Sequence, residues 1–167
     1  MKLLADAMLG RLAKWLRMLG YDTMYVADTD SYAVLRSART EGRLILTRND
    51  ELATRRGVRA LFIDSDTLED QLRQVYLTLG APEAPALPRC SVCNQTLRDL
   101  PKDLAVSRVP PYIYKKHESF KICPECQRVY WQGSHWRRIQ IVVNSLHDAV
   151  GSDKMAEAGN RVSDPDS

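Results

Sequence analysis

The stretch KLLADAMLGRLAKWLRMLG, Lys2 to Gly20, decides how the rest of the chain is read. Lys2 to Ala5 is a short hydrophobic run, and Asp6 follows it directly. From Ala7 onward, Leu9, Leu12, Leu16 and Leu19 recur at helical spacing until Gly20 closes the segment. A strand that passes into a helix through one acid opens a β-then-α unit, and the pattern repeats downstream. Thr23 to Val26 is β-branched and aromatic, which predicts a second strand, and Ser31 to Glu41 predicts a helix stopped by Gly42. Leu44, Ile45 and Leu46 form a third buried strand, followed by a short helix from Asp50 to Arg56 with Gly57 after it. Leu61, Phe62 and Ile63 make a fourth strand, and Thr67 to Leu79 a fourth helix ending at Gly80. Four such units in residues 1–80 imply an α/β fold, a parallel sheet with helices on both faces.

Beyond that domain, Pro82, Pro85 and Pro88 punctuate an Ala-rich stretch, so residues 81–88 read as a linker. From Arg89 the texture changes to cysteine pairs, aromatics and short β-like runs, a second module over 89–150. Residues 151–167 are polar with scattered charge, and a disordered tail is expected there. The length of 167 residues suits such a domain with a smaller module attached. No apolar run approaches the roughly 20 residues of a membrane span, which excludes a membrane protein. The start MKLLAD meets an acid too early for a signal peptide, so a cytoplasmic home is expected. The formal net charge of +3 names no partner, but its distribution is uneven. Residues 1–80 carry 12 basic and 11 acidic groups, 81–150 carry 10 and 6, and the last 17 residues carry 2 and 4. The basic excess lies in the second module.

Cys90 and Cys93 form one Cys-x-x-Cys knuckle and Cys123 and Cys126 another, with 29 residues between them. Two local disulfides or four unrelated buried thiols are the alternative, but a chain kept in a reducing compartment forms no disulfides. Two knuckles converge into a tetrahedral thiolate cage whose usual occupant is zinc, a structural site replacing a core that so small a module cannot build. A hairpin or loop must bulge out between the knuckles. No role as ligand is left for His117 or His135. Gln127 stands after the second knuckle, where ribbons often place Gly.

In a parallel sheet, functional groups gather where strands end and helices begin. Asp6 follows the first strand, Asp28 and Asp30 the second, Asp50 the third, and Asp64 and Asp66 the fourth. Carboxylates gathered at one edge repel each other unless a divalent cation such as Mg²⁺ or Mn²⁺ lies between them, and such an ion activates water for phosphodiester hydrolysis. Asp is also a favoured helix N-cap. Taken alone, Asp50 and Asp66 read as caps, whereas Asp6, with no turn residues around it, reads as functional. Asp30, nearer the helix start, is preferred over Asp28, and Asp64, nearer the strand, over Asp66. Arg11, Lys14 and Arg17 recur along one flank of the first helix, either as a solvated face or as a phosphate-contacting rim. In the second module, Tyr112, Tyr114, Lys115, Lys116 and His117 sit together, and Tyr130, Trp131, His135, Trp136, Arg137 and Arg138 form another cluster. Such mixtures suit stacking on bases and pairing with phosphates, or else the aromatics pack around the zinc.

Several of these segments carry a resemblance. DAMLGRLAKWLRMLGYDT (Asp6 to Thr23), EGRLILTRNDEL (Glu41 to Leu52), VPPYIY (Val109 to Tyr114), the CPEC knuckle and VYWQGSHW (Val129 to Trp136) resemble the Mut-7 C-terminal RNase family. That family is a PIN-like nuclease domain carrying a zinc ribbon, and the resemblance covers roughly residues 1–140. It implies a metal-dependent ribonuclease in which Asp6 matches the first-strand acid and Thr47-Arg48 the third-strand motif. The family commonly has Asp directly after Thr-Arg, where this chain has Asn49 followed by Asp50. The expected site is therefore Asp6, Asp30, Asp50 and Asp64 with Arg48, the first three holding Mg²⁺ or Mn²⁺. Zinc sits on Cys90, Cys93, Cys123 and Cys126, and RNA is met by Arg11, Lys14, Arg17, Lys115, Lys116, His135, Trp136 and Arg137. Asn49 favours an alternative, a non-catalytic RNA- or ribosome-binding module on a degenerate nuclease fold. A weaker third reading is a hydrolase of small phosphate esters. No oligomeric state is read from the sequence.

Overall fold

Strand β1, Lys2–Ala5, lies inside a four-stranded sheet between β2, Asp22–Tyr25, and β3, Leu44–Thr47; β4, Ala60–Phe62, completes the order β2-β1-β3-β4. All three pairings are parallel, and Leu4 faces Met24 on one side and Ile45 on the other. The structure is a computed structural model that describes residues 1–27, 30–82 and 89–134, with positions 137, 138, 141, 142, 144, 145 and 148. Asp28, most of the expected linker (83–88) and the expected tail (151–167) lie outside the described residues.

Alternation along β1 shows why both faces need cover. Leu3 and Ala5 pack with Leu12, Ala13, Leu16 and Leu19 of helix α1, Gly10–Leu19, and with Leu72, Val75 and Tyr76 of helix α4, Leu68–Leu79. Leu4 points the other way, into Val34, Leu35 and Ala38 of α2, Ser31–Glu41, and Leu52 of α3, Asp50–Ala53. Each leucine so buried contributes about 1.5–3 kcal/mol by leaving water. The α/β reading therefore holds, and its departures are local. Asp6 accepts a hydrogen bond from the Met8 N–H at 3.2 Å, which tightens Ala7–Leu9 into a 3₁₀ turn before the α-helix starts. The third helix stops at Ala53 instead of running to Arg56. The next residues, Thr54, Arg55 and Arg56, are exposed and bring nothing apolar to a second turn, and Gly57 turns away at φ +76°.

The second module has its own antiparallel sheet of β5, Arg98–Leu100, β6, Phe120–Ile122, and β7, Val129–Trp131. What bulges out between the knuckles is two short helices, α5, Lys102–Ala105, and α6, Pro111–Lys116. They enclose a small core of Leu100, Ala105, Val109, Ile113 and Phe120.

Polar side chains dock this module onto the edge strand β2. Arg17 of α1 is only 7% exposed; its guanidinium donates to the Thr23 carbonyl at 2.7 Å and to the Ser91 and Val92 carbonyls at 2.9 and 3.0 Å. Asn94, at φ +64° beyond the first knuckle, accepts from the Thr23 N–H at 3.0 Å and donates to Asp22 at 2.7 Å. β2 thus spends its open edge on the knuckle, which protects it from pairing with another chain.

Arg43 meets the same Asp22 at the amino end of the strands. It is buried, and it bonds Asp22 at 2.7 Å, Glu41 at 2.7 Å and the Leu3 carbonyl at 3.1 Å. Burial pushes the Asp22 carboxyl up, but hydrogen bonds from Arg43 and Asn94 outweigh it and hold it below the ordinary range. Because the folded value is depressed, this stabilisation is complete above the unfolded value near pH 4 and is lost as the pH falls through the lower folded one. Arg43→Met should cost about 3–5 kcal/mol in urea unfolding at pH 7. It should also flatten the acid limb of stability below about pH 4; a wild-type acid limb in the variant would contradict this role of the pair.

Candidate functional site

Asp6 stands at the carboxyl end of β1, where its N–H continues the ladder to the Leu46 carbonyl at 3.2 Å. Its side chain is 7% exposed, and both oxygens have donors: the Met8 N–H on one and the Thr47 hydroxyl on the other. Thr47 is fully buried at the end of β3 and accepts from the Asn49 N–H at 2.9 Å. That acceptance leaves its single proton for Asp6. No cation pairs with Asp6 among the described residues, so a buried carboxylate is held by neutral donors alone. Thr47 belongs to the Thr47-Arg48 motif, but nothing local in the sequence marks it as the partner of Asp6; the adjacency of β1 and β3 creates that role.

The other acids lie at the same edge of the sheet. Asp30 is the exposed N-cap of α2, accepting from the Tyr32 N–H at 3.0 Å. Asp50 and Asp64 are exposed, the former in the first turn of α3 and the latter beyond β4. Capping is distributed differently from the expectation. Asn49 caps α3 through the Leu52 N–H at 3.2 Å, and Thr67 caps α4, so neither Asp50 nor Asp66 is a cap. Asp66 instead takes Arg48 at 2.5 Å, while Arg48 also donates to the Ser65 carbonyl at 3.2 Å. Arg48 is thereby tied to the β4–α4 loop and not to Asp6. Asp6, Asp30, Asp50 and Asp64 share an edge, yet no three carboxylates among the described residues bring their oxygens within 4.8 Å of one another.

The cysteines do converge. Sulfurs of Cys90, Cys93, Cys123 and Cys126 all lie within 4.8 Å, the one group of three or more potential ligands so close among the described residues, and the set could hold a metal ion such as zinc. Each knuckle folds over its first sulfur, with the Cys93 N–H 3.3 Å from Cys90 and the Cys126 N–H 3.5 Å from Cys123. Gln127 takes φ +59° where a glycine is common, and Asn94 takes φ +64° at the matching place in the first knuckle. Gln127 offsets the strain by bonding the Pro124 carbonyl at 2.9 Å. Burial pushes the Cys90 thiol up, but hydrogen bonds from the Tyr130 hydroxyl and the Cys93 and Val92 N–H groups bring it down to about 7. Its neighbour Cys93 is held up to about 12, first by Cys126 and then by burial. Four thiols this close ionise together only around a cation, so the donor set fits a thiolate-bound metal.

The cationic candidates divide. Arg11 and Lys14 are exposed on α1, and Lys115 and Lys116 on α6, with Arg137 also exposed. Arg17 does not belong with them: its guanidinium is consumed by three backbone carbonyls and is unavailable to phosphate. Tyr130 is committed to Cys90 at 3.1 Å, and Trp131 packs on the core of the second module. His135 and Trp136 lie outside the described residues. Among the described residues, no helix is long and apolar enough to cross a membrane.

Titrating Co²⁺ into the reduced chain should give one tetrahedral thiolate spectrum per chain, displaced by Zn²⁺. Because ligands must lose protons, affinity should rise with pH between about 6 and 8. Cys90→Ser should weaken binding, whereas Cys binding of two ions or of none would contradict the single four-sulfur centre.

No curated protein and no solved structure matches the chain. A family match does, described as Mut7-C RNAse domain, and it spans residues 1–143, both sheets and all four cysteines. The chain belongs to the Mut7-C RNAse domain family.

Proposed function

We propose that the protein is a metal-dependent ribonuclease, and that Asp6 is the centre of its active site. The observation carrying this reading is the buried Asp6 carboxylate with two neutral donors and, among the described residues, no cationic partner. Burying a charge without an opposite charge is costly, and a divalent cation would supply it. The oxygen-only donors at this edge suit Mg²⁺ or Mn²⁺, and Mg²⁺ keeps several waters and needs only one or two direct carboxylates. Asp6 would be the direct ligand, with Asp30 and Asp50 reaching the ion through water and Asp64 beside them. When bound, the ion supplies an activated water and stabilises charge on the phosphodiester.

The protein's own groups account for the rest. Thr47 fixes the Asp6 carboxylate in one orientation, so it does not rotate away from its ligand position. Arg48, braced by Asp66, presents a cation at the same edge for a phosphate oxygen. Four cysteines holding zinc would keep the second module folded against β2, with Lys115, Lys116 and Arg137 added to the RNA-facing charge. His135 and Trp136 belong to the same expectation. A cytoplasmic location agrees with reduced thiols at such a centre.

A second reading, a non-catalytic RNA-binding module, rests on Asn49. An amide stands where the family commonly has a carboxylate, and its oxygen is used to cap α3. Cleavage of mixed-sequence RNA with and without Mn²⁺ separates the two readings. The nuclease reading expects Mn²⁺-dependent cleavage, reduced at least roughly 100-fold by Asp6→Asn with zinc content and folding unchanged. Thr47→Val should weaken the affinity for the metal by roughly 10- to 100-fold, with activity restored at high Mn²⁺. Binding without cleavage would support the second reading, and unaltered turnover in Asp6→Asn would remove Asp6 from the site.

A further inference from the structure

Helix α2 carries a second stripe beside its buried one. Val34, Leu35 and Ala38 face the core, whereas Tyr32, Arg36 and Arg39 recur at i, i+4 and i+7, on one face over a rise of about 10 Å. Tyr32 is 71% exposed, unusual for an aromatic with no core to join. Arg55, just past α3, lies over its ring at 5.3 Å from the centroid, which leaves the other face to solvent. These four residues, with Asp30 and Thr40, line an open groove of about 620 Å³, a volume in the usual range of about 300–1,000 Å³ for ligand sites. Arg36, Arg39 and Arg55 form no ion pair among the described residues. Arg39 also lines the neighbouring cleft with Arg59, so positive charge continues along this face. The groove's far end is Asp30, at the carboxyl edge of the sheet where Asp6 lies.

We propose that this groove is a binding track for single-stranded RNA, in which a base stacks on the open face of Tyr32 and Arg36, Arg39 and Arg55 pair with phosphates. The proposal rests on the ribonuclease reading and assigns it a substrate-binding surface on the first domain, apart from the basic second module. Stacking suits the geometry, because a ring with a guanidinium on one face offers a flat, preorganised platform on the other. With no carboxylate partner among the described residues, the three arginines need break no ion pair there when phosphate arrives. The track delivers the strand to Asp30, so bound RNA lies across the acidic edge rather than beside it. Single-strand selectivity follows, since a base must be unpaired to lie on Tyr32.

Binding of a fluorescein-labelled 15-mer oligouridylate to the full zinc-loaded chain, followed by anisotropy, tests this. Asp6→Asn serves as the parent, without added divalent ions, so that cleavage does not intervene. Tyr32→Ala should weaken binding roughly 5- to 150-fold, and Tyr32→Phe should hold it within about twofold. Replacing Arg36, Arg39 and Arg55 together by Gln should lower the slope of log K against log salt by about 2, and each single replacement by about 0.7. The single replacements on exposed positions keep the test open if the triple variant does not fold. Parent affinity and slope in every groove variant would overturn the track while leaving the ribonuclease reading intact. A parent that binds no RNA, but binds polyglutamate through Tyr32 and these arginines, would overturn both and assign the groove to an acidic protein.

Discussion

The carboxyl edge of the sheet depends on one hydrogen bond, from the Thr47 hydroxyl to Asp6. β1 and β3 are neighbours in parallel, so Asp6, just past β1, meets Thr47, the last residue of β3. The Asn49 N–H occupies the Thr47 oxygen, which commits its proton to Asp6, and the Met8 N–H holds the other carboxylate oxygen. Each donor comes from backbone or side chain already fixed by a strand or a capped turn. The result is a buried carboxylate oriented before any ligand arrives, the preorganisation that electrostatic catalysis requires. The lack of a counter-charge among the described residues makes the edge a metal-binding candidate rather than a structural ion pair. Arg48 and Asp66, which do pair, mark the contrast one loop away.

A second constraint joins the modules. The knuckle at Cys90 and Cys93 offers the Ser91 and Val92 carbonyls to Arg17, while Asn94 beside it accepts from the Thr23 N–H, and together these bonds lock the knuckle on β2. The thiolate centre therefore has a reach beyond its own small core. Opening of the four-cysteine cluster would free the Ser91 and Val92 carbonyls, and with them the buried guanidinium of Arg17. The edge strand would then be open, and β2 is the strand from which the chain passes to Asp30.

Much of this was legible in the residues. The hydrophobic runs and glycine stops placed all four β-then-α units, because alternation of apolar runs with helical periodicity is a local property. The four cysteines were legible for the same reason, their spacing being a chemical signature. Pairing was not. Arg17 read as one member of a solvated or phosphate-facing stripe, since nothing local shows that a carbonyl-rich knuckle 74 residues away will cover it. Asp50 and Asp66 read as caps because cap propensity ignores which neighbour fits; Asn49 and Thr67, each one residue N-terminal of its helix, took those places. Asp6 was singled out by its position alone, but its donor Thr47 comes from strand adjacency. Tyr32 and the arginines beside it show only helical spacing in the sequence, because exposure and the approach of Arg55 are tertiary facts.

The central claim is that Asp6 is the ligand of a divalent cation at the carboxyl edge. Anomalous scattering from crystals soaked in Mn²⁺, with zinc distinguished by its own absorption edge, tests it most directly. The account predicts a manganese peak about 2.1 Å from an Asp6 carboxylate oxygen, with Asp30 and Asp50 in reach of its waters. An ordered Asp6 with no peak at this edge, under conditions where the chain cleaves RNA, would contradict it.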